Sequence, residues 1–478
     1  MLNLHLQKIL SLITLISLLM FSFSSCSLNS QSDFESLLRP PNLNKEQKEI
    51  QNALQKSTVS PLFLLQFPKS GDFRQSFIKA DFNNNGTTQY VAFYRPKGEG
   101  TSIHINLLSK IKQNDNEAWI STFDAECSGT QINTVSLEKL TNDDTTLLVT
   151  TWNLNNTKEK GLIVYQMIDN SLKEIFNTTF TEMSLADLNG DNINDIFLIN
   201  QTPATDTKPA TTTASLYSLL NYNGIKLSSC QMDPATTSFA SVKIGKIDST
   251  PAIFVDSFKT ANTMSTEIIY YEDGGRTEYG SLIHLLLNPL YDTTKNTVDA
   301  SVRESNYSII STDIDNDGNT EFPSSTELPG YHDKPSSEKM FLTTWNSFSK
   351  YNEKNIYPQF DCVYNNNYNY YLIIPDQLKS NFTVDSINNS ATLIFKYSSL
   401  QEDTSLVPAA KDAKSSVVYS EIFSIRIFTA DTWHSPNNDF YYKLSQNDKY
   451  IYGIKFSELA ATLNLNLESV SKYFKYIT

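Results

Sequence analysis

The chain has 478 residues, 40% apolar and 12% aromatic, enough for a sizeable core and too apolar for global disorder. Its 38 basic against 52 acidic residues leave a net charge of -14, which argues against a nucleic-acid partner, because phosphate binding needs a basic surface. Fifteen glycines, 17 prolines and four cysteines exclude collagen-like, linker-like and disulfide-scaffold chains.

Residues 1–25 predict an export signal. Lys8 is the only charged side chain before Cys26, and the apolar or small run Ile9–Phe23 spans 15 residues. A spanning helix needs about 20, so a cleavable leader fits better. The run ends in Phe23-Ser24-Ser25-Cys26, which resembles a bacterial lipobox, although Phe23 stands where Leu is usual. The resemblance implies a lipid (diacylglycerol, then palmitate) on Cys26 and a place on the outer face of the cell membrane. The alternative is an ordinary signal peptide ending near a cysteine. The remaining Cys127, Cys230 and Cys362 show no C-x-x-C spacing, so buried free thiols are expected rather than a zinc or redox site.

Residues 26–59 read as a tether and a short helix over 44–55, with Ile50, Ala53 and Leu54 on one face. From residue 60 the pattern becomes short β-type runs: Leu62–Phe67, Tyr90–Tyr94, Leu147–Trp152, Leu162–Met167, Asp195–Asn200, Ile253–Val255 and Glu267–Tyr271. Evenly spaced short strands predict a mainly β sandwich, barrel or propeller. The Thr/Pro/Ala stretch Thr202–Ser215 predicts a surface loop.

An acidic loop recurs between these runs. The clearest copies are Asp187-Leu-Asn189-Gly-Asp191-Asn-Ile193-Asn-Asp195 and Asp313-Ile-Asp315-Asn-Asp317-Gly-Asn319-Thr-Glu321. Both put oxygen side chains at the first, third, fifth and ninth positions, and Ile193 and Asn319 offer backbone carbonyls at the seventh. Calcium prefers six to eight oxygen ligands of this kind. The twelfth positions, Leu198 and Ser324, lack the bidentate Glu of an EF-hand. Weaker copies start at Asp81, Lys139 and Lys246. The first keeps the turn with one carboxylate. The other two put a lysine first, which predicts loops that kept the shape and lost the ligand.

The loop starts, 81, 139, 187, 246 and 313, are spaced like propeller blades. A loop followed by an apolar strand resembles the FG-GAP or VCBS repeat of integrin-alpha-like β-propellers, over about residues 60–350. The whole layout is similar to lipoproteins of Firmicutes. The resemblance implies a β-propeller of about five to seven blades with structural calcium, and implies no activity.

Residues 355–478 predict a small α+β domain ending in a helix, with Val470, Tyr473, Phe474 and Ile477 on one face and Asn466 as its cap. Tyr364, Tyr368, Tyr370 and Tyr371 lie in an Asn-rich segment that suits either a half-buried strand or sugar stacking. Trp152 and Trp345, in similar contexts, predict equivalent strand ends. No H-E-x-x-H, G-x-S-x-G, P-loop or G-x-G-x-x-G occurs, so no catalytic residue is singled out. The expected function is a lipid-anchored binding, adhesion or scaffold protein. Its partner would be another protein or an envelope polysaccharide. A glycan-directed envelope hydrolase is the alternative.

Overall fold

The structure, a computed structural model, describes residues 45–58, 62–97, 102–113, 116–155, 158–276, 282–287, 301–304, 309–351, 355–379, 381–401, 416–435, 438 and 440–477. The expected signal, Cys26 and tether lie outside these residues. The chain forms two compact units: Met1–Pro68, Arg74–Ser128 and Ile168–Leu172 in one, Lys69–Phe73, Gly129–Met167 and Lys173–Thr478 in the other. The chain is mainly β, and its described residues form six antiparallel sheets of four or five strands that follow one another along the sequence.

In the first unit, the helix Lys45–Ser57 buries Ile50, Ala53 and Leu54, the face its spacing predicts. They pack on Ala92, Tyr94, Leu108 and Trp119 of the first sheet. That sheet comprises Phe63–Gln66, Phe77–Ala80, Gln89–Pro96, Ile103–Gln113 and Asn116–Cys127. Its first two strands pair with successive halves of the third.

The second unit carries the other five sheets, apart from the hairpin end Ile168–Leu172 of the second. The second sheet spans Gln131–Phe180 and the third Glu182–Met232. The fourth runs from Ser238 to Leu287 and adds Arg303–Glu304. The fifth holds Phe322–Glu327, Phe341–Phe348, Ile356–Asn365, Tyr370–Ile373 and the C-terminal Phe474–Tyr476. The sixth holds Phe382–Ile387, Thr392–Gln401, Ser416–Phe428, Tyr442–Gln446 and Ile451–Phe456.

These sheets pack face to face in series, and strand periodicity shows how. Ile196 and Leu198 of the third sheet join Leu147, Val149, Leu162 and Val164 of the second. The alternate residues Phe197 and Ile199 join Ile253, Val255, Ile269 and Tyr271 of the fourth. Ala252, Phe254, Ile268 and Tyr270 then face Phe322 and Phe348 of the fifth. A strand buried on both faces reads as a continuous apolar run, which is why Asp195–Asn200 and Ile253–Val255 were visible in the sequence. Full burial of each such side chain contributes about 1.5–3 kcal/mol.

A buried ion pair holds the chain entering the fifth sheet. Arg303 Nη2 donates to Asp256 Oδ1 at 2.7 Å, and the Ser311 amide donates to Asp256 Oδ2 at 2.9 Å. Both ionised side chains are almost wholly buried, so removing either partner would strand the other charge at a cost of about 3–5 kcal/mol.

Four expectations are corrected. The loop after Thr202 ends at Ala210, because Thr211–Ser218 is a strand burying Thr212 and Ala214; its threonines are β-branched and favour that state. The C-terminal helix stops at Tyr473, and Phe474–Tyr476 pairs with Tyr370–Leu372. Asn466 does cap the helix, accepting from the Ser469 amide at 2.9 Å. Strand pairing also continues through residue 355, joining Phe341–Phe348 to Ile356–Asn365, where regions 60–350 and 355–478 were expected to part. Finally, Trp152 lies on the strand directly after its sheet's loop, whereas Trp345 lies one strand later; similar local sequence does not fix strand position.

Candidate functional site

The recurring loops share one topological place. Eight residues separate the register pairs Ala80↔Gln89, Glu138↔Leu147, Ala186↔Asp195 and Thr312↔Glu321. In the last three cases the loop joins the first extended segment of a sheet to the next; in the first sheet it joins the second strand to the third.

Their backbones differ according to the first residue. Asp187 Oδ1 accepts the Gly190 and Asp191 amides at 2.7 and 3.1 Å, and Oδ2 accepts Asn192 at 2.9 Å. Asp313 accepts Asp317 at 3.1 Å and Gly318 at 3.0 Å. Asp81 accepts Asn85 at 3.2 Å and Gly86 at 2.8 Å. One carboxylate thus gathers successive N–H groups and winds the chain around itself. The winding needs left-handed residues at the fourth and sixth positions. These are Asn84 and Gly86, Gly190 and Asn192, and Asn316 and Gly318, with φ between 50° and 92°, residue types that tolerate it.

The two lysine-led loops do not keep this shape, which corrects the expectation. Lysine has only donors and cannot gather amides. Residues 139–146 have the loop's length but no positive φ. Residues 246–250 shrink to a two-residue turn, Asp248-Ser249, with φ 46° and 65° between Ile247 and Thr250, the form favoured for tight hairpins. Both satisfy their carboxylates with protein groups. Lys139 pairs with Asp144 at 3.0 Å, and Tyr222, in the turn between Thr211–Ser218 and Ile225–Met232, donates to Asp143, holding that carboxyl down to about 2. Asp248 Oδ2 accepts the Lys350 amide at 2.7 Å.

The acidic loops keep their charge concentrated. Carboxylate oxygens of Asp313, Asp315 and Asp317 all lie within 4.8 Å of one another. Asn189 donates to Asp191 at 3.0 Å and to Asp195 at 3.5 Å. At the seventh position the Ile193 and Asn319 amides point back to Asp191 and Asp317, at 2.9 and 2.7 Å.

The ninth position is where the structure adds most. Gln89, Asp195 and Glu321 are 3%, 1% and 0% exposed. Burial, with the charges of Asp191 and Asp187, pushes the Asp195 carboxyl up to about 7. Burial pushes Glu321 to about 7 as well, aided by Asp315 and Asp317 and opposed by bonds from Ile314 and Ser347. Asp195 Oδ2 is buried without a hydrogen-bond partner. Leaving a buried carboxylate oxygen unpaired is costly, and a cation coordinated by the loop would remove that cost. The oxygen-only donor sets fit calcium.

The fifth-sheet loop is also clasped by the fourth sheet. The Thr320 amide donates to Lys246 O at 2.9 Å, and the Ser249 amide to Asn319 Oδ1 at 3.2 Å. Gly245 permits the approach, because a Cβ there would lie 2.3 Å from Thr320 Oγ1.

Other singled-out residues have structural roles. Trp152 and Trp345 are buried, donating to Thr150 Oγ1 at 2.9 Å and Tyr364 Oη at 3.1 Å. Tyr364, Tyr370 and Tyr371 are buried and Tyr368 is half-buried, with burial pushing the three buried hydroxyls up. Cys127 and Cys362 are buried and Cys230 is half-buried, all three free.

No family model matches the chain, and no curated protein matches it. Among solved structures, it is similar to a rhamnogalacturonan lyase from Bacillus licheniformis, with TM-score 0.27, 10% identity, and coverage of 62% of this chain and 68% of that one. An exotype rhamnogalacturonan lyase, YesX, gives TM-score 0.27 and 9% identity over 75% of each chain. The Dos1 propeller gives TM-score 0.23 and 9% identity over 69% of this chain and 78% of its own. Likeness at these TM-scores carries no argument about activity. No described helix is long and apolar enough to cross a membrane.

Proposed function

We propose that the protein is a non-catalytic binding or scaffold protein of the outer membrane face, anchored by lipid on Cys26, whose sheets are propeller blades stabilised by calcium in loops 187–195 and 313–321. Asp187, Asn189, Asp191, Asp195 and the carbonyl of Ile193 would hold one ion. Asp313, Asp315, Asp317, Glu321 and the carbonyl of Asn319 would hold the other. The carrying observation is the buried ninth carboxylate, unpartnered at Asp195 Oδ2, facing a loop already wound around its first carboxylate. The serial, meander-like sheets with loops at one repeated place support the blade reading.

Calorimetric calcium titration should find two sites per chain, and Asp187→Ala and Asp313→Ala should each remove one. Unchanged stoichiometry in either variant would exclude that loop. The anchor is tested separately: Cys26→Ala should abolish incorporation of labelled palmitate, and persisting label would remove Cys26 from the reading.

A further inference from the structure

Three hollows lie in series along the single segment Tyr364–Tyr371. The middle one encloses about 570 Å³ and is lined mainly by amides and hydroxyls, among them Asn365, Asn366, Asn367, Ser386, Asn389 and Ser390. Through Asn366 it adjoins a hollow of about 180 Å³ walled by Trp345, Tyr364 and Tyr371. Through Asn367 it adjoins a third of about 380 Å³ beside Tyr368 and Tyr450.

Two turns line the middle hollow together with Tyr331, Lys334 and residues 336–340. One, Asn366–Tyr368, links Ile356–Asn365 to Tyr370–Ile373 in the fifth sheet. The other, Asn388-Asn389-Ser390, links two strands of the sixth. Side chains lock the turns together: Asn365 Nδ2 donates to Ser390 O at 2.8 Å and Asn367 Nδ2 to Asn389 O at 3.2 Å. The hollow is therefore preformed, and a ligand would meet little ordering cost.

The asparagines call for explanation one by one. Asn369, Asn388 and Asn389 have φ of 58°, 53° and 55°, and the left-handed backbone accounts for them. Asn366 and Asn367 have no positive φ and are exposed; the Asn367 amide nitrogen ties the two turns together. An amide both donates and accepts, which suits a ligand dense in hydroxyl groups. The two lysines that line the middle hollow are already engaged. Lys334 lies 4.3 Å from the centre of the Tyr331 ring, and Lys339 pairs with Glu327. Together with the net charge of -14, this disfavours a polyanion. A volume of about 570 Å³ falls within the roughly 300–1,000 Å³ of small-molecule sites, and the side hollows extend it lengthwise past aromatic rings.

We propose that this groove binds an uncharged oligosaccharide stretch, with amides on the sugar hydroxyls and Tyr368 and Tyr450 beside the end rings. The proposal rests on the binding-protein reading above and does not need the calcium. Among the described lining residues Glu338 is the only carboxylate of the middle hollow, so it lacks the carboxyl pair of glycoside hydrolysis.

The test is calorimetric titration of the full chain with cellohexaose, xylohexaose, maltohexaose and chitohexaose, with polygalacturonate as the anionic comparison. At least one neutral hexasaccharide should bind saturably, and polygalacturonate should not. Ser386→Trp, which fills the hollow from an exposed position, should abolish that binding while the melting temperature stays unchanged. Failure of all four neutral sugars, preference for polygalacturonate, or full binding by the Ser386→Trp protein would overturn the proposal. Sugar binding without any calcium-dependent melting shift would sink the calcium reading alone. A calcium shift without sugar binding would sink this one alone.

Discussion

Loops 139–146 and 187–194 join equivalent strands in two sheets that share a core, yet they are built on opposite principles. The 187 loop starts with a carboxylate, winds three amides around it, and leaves acidic oxygens concentrated beside a buried Asp195. The 139 loop starts with a lysine, stays unwound, and satisfies its acids with Lys139 and Tyr222. On the proposed reading an external cation would complete the first loop, whereas protein groups complete the second. The first residue decides which, because only an acceptor can organise the amides.

The largest contrast should come from the organising residues themselves. Asp187→Ala removes three charge-assisted hydrogen bonds and a proposed metal ligand. In calcium it should cost about 2–4 kcal/mol, which lowers the melting temperature by roughly 4–12 °C. A loss as small as that of an exposed ion pair would erase the distinction between the loops.

Acidity should separate the loops next. In EDTA, Asp195 and Glu321 hold their protons more tightly when folded, at about 7, than in the unfolded chain, where carboxyls titrate near 4. The unfolded state therefore loses protons first. Their contribution is fully present below about pH 4 and is lost as pH rises to about 7. Melting temperature without metal should fall across that window, and saturating calcium should flatten the slope. Equal slopes with and without calcium would show that the ninth carboxylates are not ligands.

Lys139→Ala should have the smallest effect. The pair with Asp144 is exposed, and such pairs contribute about 0.2–1 kcal/mol. Thermal melting of this variant should retain the wild-type calcium response; a lost response would mean that the 139 loop takes part in metal binding after all.

Much of this was legible locally. Alternation and continuous apolar runs marked most strands of the mainly β chain, and Ile50, Ala53 and Leu54 marked the buried helix face. The Asp-led spacing marked the loops that wind, because winding uses only residues a few positions apart. The collapse of residues 246–250 to a hairpin turn escaped, since the register Ile247↔Thr250 belongs to strand pairing rather than to the turn's own residues.

Sequence alone determined which chain segments alternate, which loops begin with an acceptor, and which turn positions tolerate left-handed backbone. Those properties are set by side-chain chemistry within one or two turns of chain. Tertiary structure decided the rest. It buried the ninth carboxylates, brought Tyr222 to Asp143, and set Asn365 against Ser390. It also paired Phe474–Tyr476 with Tyr370–Leu372, a hundred residues away in the chain. Each of these depends on which faces pack and which edges pair, and that is settled by the burial of whole sheets rather than by any local pattern.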